Sequence, residues 1–316
     1  MDLRQLEAFA AVMSAGSVTG AGQMLGRSQP TITRLIQELE QELGFALFER
    51  SGPKVTPTHK AFMMTAEVES ALQGVRHVRQ RAVNIARDEN FSLRLVATPA
   101  LAAGLLPPAL ARLPQALRPQ QLQIQSLTPE AAVQAVLSKT VDLGVVSLPL
   151  EHRGLDLHWI GEAPCVAVLP ADAALARHEV IGMAQLADET LISISNPYRF
   201  RRRIDKAFEA AGLEPQHILD TNTSLIAMQM ARVGLGVALV DPFTAFGVPL
   251  EGVVVRPIEC SIPFYFGLVS AYASPLSEVA KALVDVLQQS SHELLPGMIV
   301  HPANRHDALM QGIYAS

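Results

Sequence analysis

The sequence predicts an all-α N-terminal unit, then one long connecting helix, then an α/β unit. Three observations predict this order. Between Leu3 and Leu43, apolar residues recur at three- and four-residue spacing in short blocks broken by Gly16 and Gly26. From Ala61 to Ile85 the same spacing runs without a break. From Phe91 onward, short apolar runs alternate with helical stretches. A chain of 316 residues fits two or three such units.

Composition narrows the class. Hydrophobic residues make up 49% and charged residues 17% of the chain, against roughly 25% charged in an average soluble protein. That balance supports large cores and excludes wholesale disorder. The longest uncharged runs, 95–111 and 260–277, are broken by Pro99, Pro107 and Pro108 and by Pro263 and Pro275, whereas a membrane span needs about 20 mostly apolar residues. The opening MDLRQLEAF lacks the basic stretch and apolar core of a secretory signal. Cys165 and Cys260 are too few for a disulfide framework or a cysteine-rich zinc site. A cytoplasmic chain with no membrane partner, no metal and no cofactor is expected. The net charge of −5 arises entirely after residue 90, because residues 1–90 carry ten basic and ten acidic side chains. Within that first part the signs are segregated: Arg27 and Arg34 are the only charges from Gly16 to Gln37, and the acids gather at Glu38, Glu40, Glu42 and Glu49.

The first helix is expected over residues 3–14, with Leu3, Leu6, Phe9, Ala10 and Met13 as its stripe. Ser17 offers an N-cap for a short second helix through Leu25, and Gly26 a stop. Ser28 caps a third, about Gln29 to Leu43, with Pro30 in its first turn and Ile32, Leu35, Ile36, Leu39 and Leu43 facing inward. Two short helices joined by a tight glycine turn form a helix-turn-helix pattern. The second helix of such a pair can present its N-terminal side chains to base edges. Ser28, Gln29, Pro30, Thr31, Thr33, Arg34 and Gln37 occupy that position, and their amides, hydroxyls and guanidinium suit bases and phosphates. FALFERSGPKVTPT then reads as strand–turn–strand around Ser51-Gly52-Pro53, with Arg50 and Lys54 as phosphate contacts. The competing reading is a three-helix scaffold with a solvated polar face.

The segment SVTGAGQMLGRSQPTITRLIQELEQELGFALFERSGPKVTPT resembles the winged helix-turn-helix of LysR-type transcriptional regulators. The match lies in Ser-Gln-Pro opening the third helix, then Leu-Glu-x-x-Leu-Gly and Leu-Phe-x-Arg. Gly20 and Gly22 depart from it, standing where the family prefers helix formers. Each costs about 0.5–1 kcal/mol of helix propensity, so a softer domain is expected.

From Ala61 to Ile85, Ala61, Met64, Val68, Ala71, Val75, Val78, Ala82 and Ile85 fall at heptad a and d positions. A seam so narrow suits a partner helix better than a globular core. The alternative is a surface helix packed on its own domain. The resemblance implies a long dimerising helix, a tetramer built from dimers, and two recognition helices reading a roughly palindromic promoter site. RNA polymerase is then the downstream partner.

In the last part, LRLVAT, LQIQSL, VDLGVVSL, CVAVLP, LISIS, HILDT, VGLGVALV and FYFGLVSA read as buried strands between helices. Such alternation implies parallel sheets with helices on both faces, and ligands bind beyond the carboxyl ends of their strands. The polar residues at those ends are Thr98 (with Ala100 beside it), Thr128, Ser147, Ser193, Ser195, Thr221 and Asn222. Hydroxyls and helix amides suit a carboxylate, though each residue also suits a plain helix cap. In the run Arg199, Arg201, Arg202 and Arg203, either Arg199 or Arg201 is expected to turn inward and the rest to stay solvated. Phe200, Phe243 and Phe264 are available as aromatic walls.

This part is similar to the family's effector-binding domain, an α/β fold of two lobes like that of periplasmic binding proteins. By that similarity, residues 1–58 are the winged unit and 59–88 the linker. Residues 91–290 form the effector domain, with lobe one at 91–162 and 267–290, lobe two at 163–266, and a small-molecule effector between them. Residues 291–316 are expected to be an appended tail, part helical or disordered, whose His292, His301 and His306 lack metal-ligand spacing. The effector is expected to be anionic or zwitterionic, leaning to an amino acid or related carboxylate. An enzyme on the two-lobed fold is the alternative, but no nucleophile elbow, phosphate-cradling loop or His-Glu-x-x-His is present. A structural nucleoid protein would leave the second half without a use.

Overall fold

The structure, a computed structural model, describes residues 1–51, 54–86, 92–150, 153–195, 200–295 and 297–309. Residues 1–89 form one compact unit and 90–316 another.

The first unit opens with α1 (Leu3–Ala15), closed by a capping box in which Asp2 Oδ1 accepts from the Gln5 amide at 2.9 Å and Gln5 Oε1 from the Asp2 amide at 2.7 Å. α2 (Val18–Leu25) is capped by Ser17 Oγ, which accepts from the Gly20 amide at 3.0 Å. α3 (Gln29–Leu43) follows with Pro30 in its first turn. Gly16, Gly26 and Gly44, all at positive φ, end the three helices. Ser28 departs from expectation: its hydroxyl lies 2.8 Å from Thr31 Oγ1 and caps no amide. Strands β1 (Phe48–Ser51) and β2 (Lys54–Pro57) pair antiparallel as the wing, and α4 (His59–Ala86) leaves it. Its 28 residues span about 42 Å at the helical rise.

The unit's core joins Ala8, Phe9, Ala11 and Val12 to Ala21, Ile32, Leu35, Ile36, Leu39, Leu47 and Phe48. Leu3, Leu6, Ala10 and Met13 of the expected α1 stripe are only partly buried, because α1 packs against α2 and α3 as well as α4 and so buries a wider arc. Gly22 is a required close approach, not a soft spot. A Cβ there would lie 2.7 Å from the Arg27 carbonyl oxygen, where the chain doubles back into α3. The Glu40 carboxylate accepts from the Leu47 and Phe48 amides at 2.7 and 3.0 Å and so ties the wing to α3.

In the second unit β3 (Ser92–Ala97), α5 (Pro99–Gly104), α6 (Leu106–Ala111), β4 (Gln121–Ser126), α7 (Pro129–Leu137), β5 (Leu143–Ser147) and β6 (Leu155–Pro164) build most of lobe one. The chain crosses to lobe two through β7 (Val166–Pro170), α8 (Met183–Ala187), β8 (Thr190–Ile194), α9 (Phe200–Ala210), β9 (His217–Thr221), α10 (Ser224–Arg232), β10 (Val237–Val240), α11 (Pro242–Gly247) and β11 (Val253–Pro257). It returns to lobe one as β12 (Pro263–Ala271), α12 (Glu278–Leu294) and β13 (Ile299–Pro302).

The lobe-one sheet runs β13-β6-β12-β5-β3-β4 and the lobe-two sheet β11-β7-β10-β8-β9. The sheets are mixed, not parallel as expected. β4-β3-β5 and β9-β8-β10 are parallel, whereas β12, β13 and β7 pair antiparallel, because the strands beside the crossings run back against the parallel core. The expected lobe limits, 162/163 and 266/267, cut through β6 and β12; the crossings fall beside Cys165 and Ile262, where the Cys165 amide donates to the Ile262 carbonyl at 2.8 Å. β4, expected to be buried, is an edge strand whose Leu122 and Ile124 are exposed. Across the lobes α5 meets α11 backbone to backbone: a Cβ on Gly104 would sit 2.1 Å from the Phe243 carbonyl oxygen. Phe243, Phe264, Phe266 and Trp159 form a ring cluster beneath that contact, with Phe243 and Phe266 edge-to-face at 4.6 Å.

The tail is part helical, as one of its two expected readings has it, and it also supplies a strand. Helix α12 continues to Leu294, and β13 adds a sixth strand along β6, pairing Ile299 to Pro302 with Glu162 to Trp159. The order has a chemical reason: β6 offers an unpaired edge, and the His301 ring nitrogen meets Glu162 Oε2 at 2.7 Å. Residues 310–316 of the tail lie outside the described residues.

Candidate functional site

On α3, Gln29, Pro30, Arg34 and Gln37 are exposed and Thr31 and Thr33 half-buried, while Ile32, Leu35, Ile36 and Leu39 are buried. The geometry leaves one polar face free of the core, as the sequence pattern predicts. Arg34 is 71% exposed and only loosely paired, with Nε 3.6 Å from Glu38 Oε1, so its guanidinium remains available. Arg50 and Lys54 stand on β1 and β2, two residues of a regular antiparallel ladder; their side chains, and the turn at 52–53, lie outside the described residues.

The linker seam divides. Ala61 and Val68 are buried and Met64 packs with them in the first unit's own core, together with Leu72, which is outside the heptad set. Ala71, Val78 and Ala82 are exposed and Val75 is half-buried; the Ile85 side chain is outside the described residues. The expectation of a partner-facing seam along the whole helix therefore fails for its first three turns, which α1 already covers.

Between the lobes, a cavity of about 120 Å³ opens at the carboxyl ends of β3, β5 and β8. Four of the expected residues line it: Thr98, Ala100, Ser147 and Asn222. Thr98 is 4% exposed, and its hydroxyl has no hydrogen-bond partner among the described residues. Thr128 and Thr221 do not line it. Thr128 caps α7, accepting from the Ala131 amide, and its neighbour Pro129 reaches the cavity instead. Thr221 belongs to the β8–β9 ladder. Ser193 is fully buried behind the strand end, and Ser195 is exposed and held through its amide to the Thr221 carbonyl. Arg199 lies outside the described residues.

Among the described residues, the arginine of this run that turns inward is Arg203, two residues beyond Arg201. It is 8% exposed, lines the cavity, and donates to the Pro263 carbonyl and to the Leu148 carbonyl at 2.9 Å. Its guanidinium lies 5.3 Å from the centre of the Tyr265 ring. Arg201 is instead taken by Asp205 and Asp220 at 2.7 and 2.6 Å. Alternation along α9 explains the difference: Phe200, Arg203 and Ile204 share its buried face, a 3.6-residue period that a run of four basic residues hides.

Asp241 also lines the cavity and was not anticipated. It caps α11, with Oδ1 accepting from the Thr244 amide and Oδ2 from the Thr244 hydroxyl, both at 2.8 Å. Burial pushes its carboxyl above the ordinary aspartate range, and hydrogen bonds from Ser224 and Thr244 oppose that rise. Thr223, Ser224, Phe200 and Phe264 complete the polar and aromatic walls; Phe243 is in the core.

A helix-turn-helix whose last helix keeps a polar face free, and a hydroxyl-lined cleft between two lobes, together define a DNA-binding regulator that carries a small-molecule domain. The chain belongs to the LysR family of transcriptional regulators: residues 3–61 match the bacterial regulatory helix-turn-helix protein family of the lysR type, and residues 86–291 match the LysR substrate binding domain. It is a regulator and not an enzyme. The regulatory protein NocR of Agrobacterium fabrum is 30% identical over 300 residues, covering 92% of this chain and 99% of that relative. The octopine catabolism/uptake operon regulatory protein OccR of Rhizobium meliloti is 32% identical over 264 residues, 83% of this chain and 86% of its own length. The solved structure of CbnR, a LysR family transcriptional regulator, shares the fold with a TM-score of 0.75 at 20% identity, covering 92% of this chain and 99% of that one. CbnR is also known in complex with its target DNA. Among the described residues no helix is long and apolar enough to cross a membrane.

Proposed function

We propose that the chain regulates transcription from a promoter whose duplex it reads with the polar edge of α3, in response to an amino acid or amino-acid-derived carboxylate held between the lobes of its second unit. The observation that carries the effector reading is the lining of the inter-lobe cavity. A buried Thr98 hydroxyl without a partner, Ser147, Asn222 and Ser224 surround a space smaller than the roughly 300–1,000 Å³ of drug-sized sites. Arg203 and Asp241 set opposite charges on its walls, which favours a zwitterion over a simple anion. The relative named for octopine catabolism and uptake points to ligands of the same chemistry.

Two copies of α3, related by a two-fold axis, read half-sites about one duplex turn apart or a multiple of it. The second half of α4, where Val78 and Ala82 are exposed, supplies the dimer contact, and dimers assemble to a tetramer. The effector acts through its differential affinity for open and closed lobes, changing the spacing of the DNA-binding pairs and the access of RNA polymerase in the cytoplasm.

Thermal-shift screening of the full chain against amino acids and organic acids tests this. A stabilising compound is expected, its shift is expected to fall in Thr98→Ala, and DNA binding should be retained in that variant. An unchanged effector titration in Thr98→Ala removes the residue from the site. Arg34→Ala is expected to weaken preference for the target over random duplex by about 1–3 kcal/mol. Equal loss on both duplexes makes Arg34 a phosphate contact.

A further inference from the structure

Strand β13 lies beyond residue 291, where the match to the LysR substrate binding domain ends, and it joins lobe one along β6. Its His301 is buried, with Nε2 2.7 Å from Glu162 Oε2 on β6. A carboxylate only accepts, which assigns the proton of this bond to Nε2. Glu162 stands opposite Tyr265 in the β6–β12 ladder, and the Tyr265 hydroxyl donates to the same carboxylate. Burial, and after it the Glu162 charge, push the Tyr265 phenol above its ordinary value against the pull of Arg203, so the hydroxyl stays a neutral donor.

Tyr265 in turn meets Arg203 by two routes. Its ring centre lies 5.3 Å from the guanidinium carbon. Its carbonyl accepts from the Leu148 amide at 2.8 Å, and the Leu148 carbonyl accepts from Arg203 Nη2 at 2.9 Å. Arg203 Nη1 donates to the Pro263 carbonyl, two residues before Tyr265 on β12. Arg203 belongs to α9 of lobe two, whereas all of these partners belong to lobe one. The guanidinium therefore straps α9 across the cleft, at the wall of the inter-lobe cavity. His301, Glu162 and Tyr265 do not line that cavity. They stand behind it as a continuous series that leads from β13 to Arg203. The direction of the Tyr265 ring decides whether its face stays under the guanidinium, and the hydroxyl bond to Glu162 fixes that direction from the far end. Glu162 is 23% exposed, so without His301 its side chain has a route to solvent.

We infer that β13 is a positioning element for the inter-lobe site: His301, acting through Glu162 and Tyr265, sets the guanidinium of Arg203 that straps lobe two to lobe one. The consequence for an effector rests on the proposed role of that cavity, whereas the positioning of Arg203 does not. Exchange measured without any ligand separates the two.

Hydrogen exchange of the full chain, read by mass spectrometry, tests the inference. Loss of the strap frees α9 from lobe one. His301→Ala is expected to speed exchange of residues 200–210 roughly tenfold, while α10 in the same lobe keeps its native rate. His301→Gln, whose amide still donates to Glu162, is expected to restore the native rate in α9. Tyr265→Phe keeps the ring and drops the hydroxyl. It is expected to speed α9 while β13 exchanges as in the native chain, which keeps the test decisive even where His301→Ala fails to fold. His301→Ala added to Tyr265→Phe is expected to speed α9 no further, because both changes break one series. Native exchange of α9 in either single variant, equal acceleration of α10, no restoration by His301→Gln, or an additive effect in the double variant each overturns the inference.

Discussion

Gly22 sets two effects of similar size against each other. Helix propensity predicts that Gly22→Ala stabilises α2 by about 1 kcal/mol. The geometry predicts the reverse, because the new Cβ would meet the Arg27 carbonyl oxygen at 2.7 Å, and a backbone atom in a helix-turn-helix corner has little freedom to retreat. Overpacking of that kind costs about 1–3 kcal/mol. Gly22→Ala is therefore expected to lower the melting temperature of the first unit, and a rise would mean that the turn relaxes without strain. Asp241 gives a second single-residue prediction. Burial raises its carboxyl in the folded chain above its value in the unfolded one. A group raised in this way contributes stability that is complete below the unfolded pKa and is lost as pH rises through the folded value. Asp241→Asn keeps an oxygen for the Thr244 amide and does not titrate. Its melting advantage over the native chain is expected to widen from about pH 4 to about pH 7, each unit of upward displacement being worth about 1.4 kcal/mol. A gap that is constant across that range would show that the carboxyl is solvated. At this scale the sequence shows Thr98 and Ser147, because strand ends advertise hydroxyls. It hides Arg203 and Asp241, whose burial depends on which turn of α9 and which cap of α11 the other lobe covers.

At the scale of elements, α4 is the most informative. Its seam is regular in sequence, yet Val68 is 3% exposed and Val78 is 66% exposed, so one heptad pattern serves two partners in succession. A glutamate at Val68 buries an unpaired charge in the first unit and is expected to unfold it. Val78→Glu is expected to leave the melting curve of a dilute sample unchanged while weakening self-association about tenfold or more, as read by sedimentation across concentrations. Equal oligomer stability in Val78→Glu and the native chain would remove the second half of α4 from any interface. Periodicity reports that a helix has an apolar stripe; it carries no label for what covers the stripe. β6 shows a different limit. In LDLHWIGEAP the alternation slips at His158, because the ladder passes from Leu268↔Trp159 to Val269↔Leu157 and leaves His158 as the extra residue. Leu157 and Trp159 consequently fall into different cores, and the strand escapes a two-residue period search. The capped helices and the β3, β5, β8 and β10 strands were plain by contrast, since their caps and apolar runs are local.

For the whole molecule, the decisive quantity is the free energy that links the two units. Each has its own buried core, one built on Phe9, Ile32 and Leu39 and the other on the Phe243, Phe264 and Phe266 cluster. Calorimetry of the full chain is therefore expected to give two unfolding transitions. A ligand that binds one folded unit raises the transition of that unit by an amount set by its concentration over its Kd, about 2.7 kcal/mol at a hundredfold excess. Duplex from the target promoter is expected to raise the first unit's transition, and an effector from the amino-acid screen the second's. Regulation requires more: linkage obliges the effector to shift the duplex-stabilised transition by the coupling free energy, typically about 1–3 kcal/mol, and obliges the duplex to shift the effector's by the same amount. Equal and reciprocal displacements would identify a ligand-responsive regulator from equilibrium data alone. If each ligand moves only its own transition, the effector binds without controlling DNA, and the lobes would serve some purpose other than regulation.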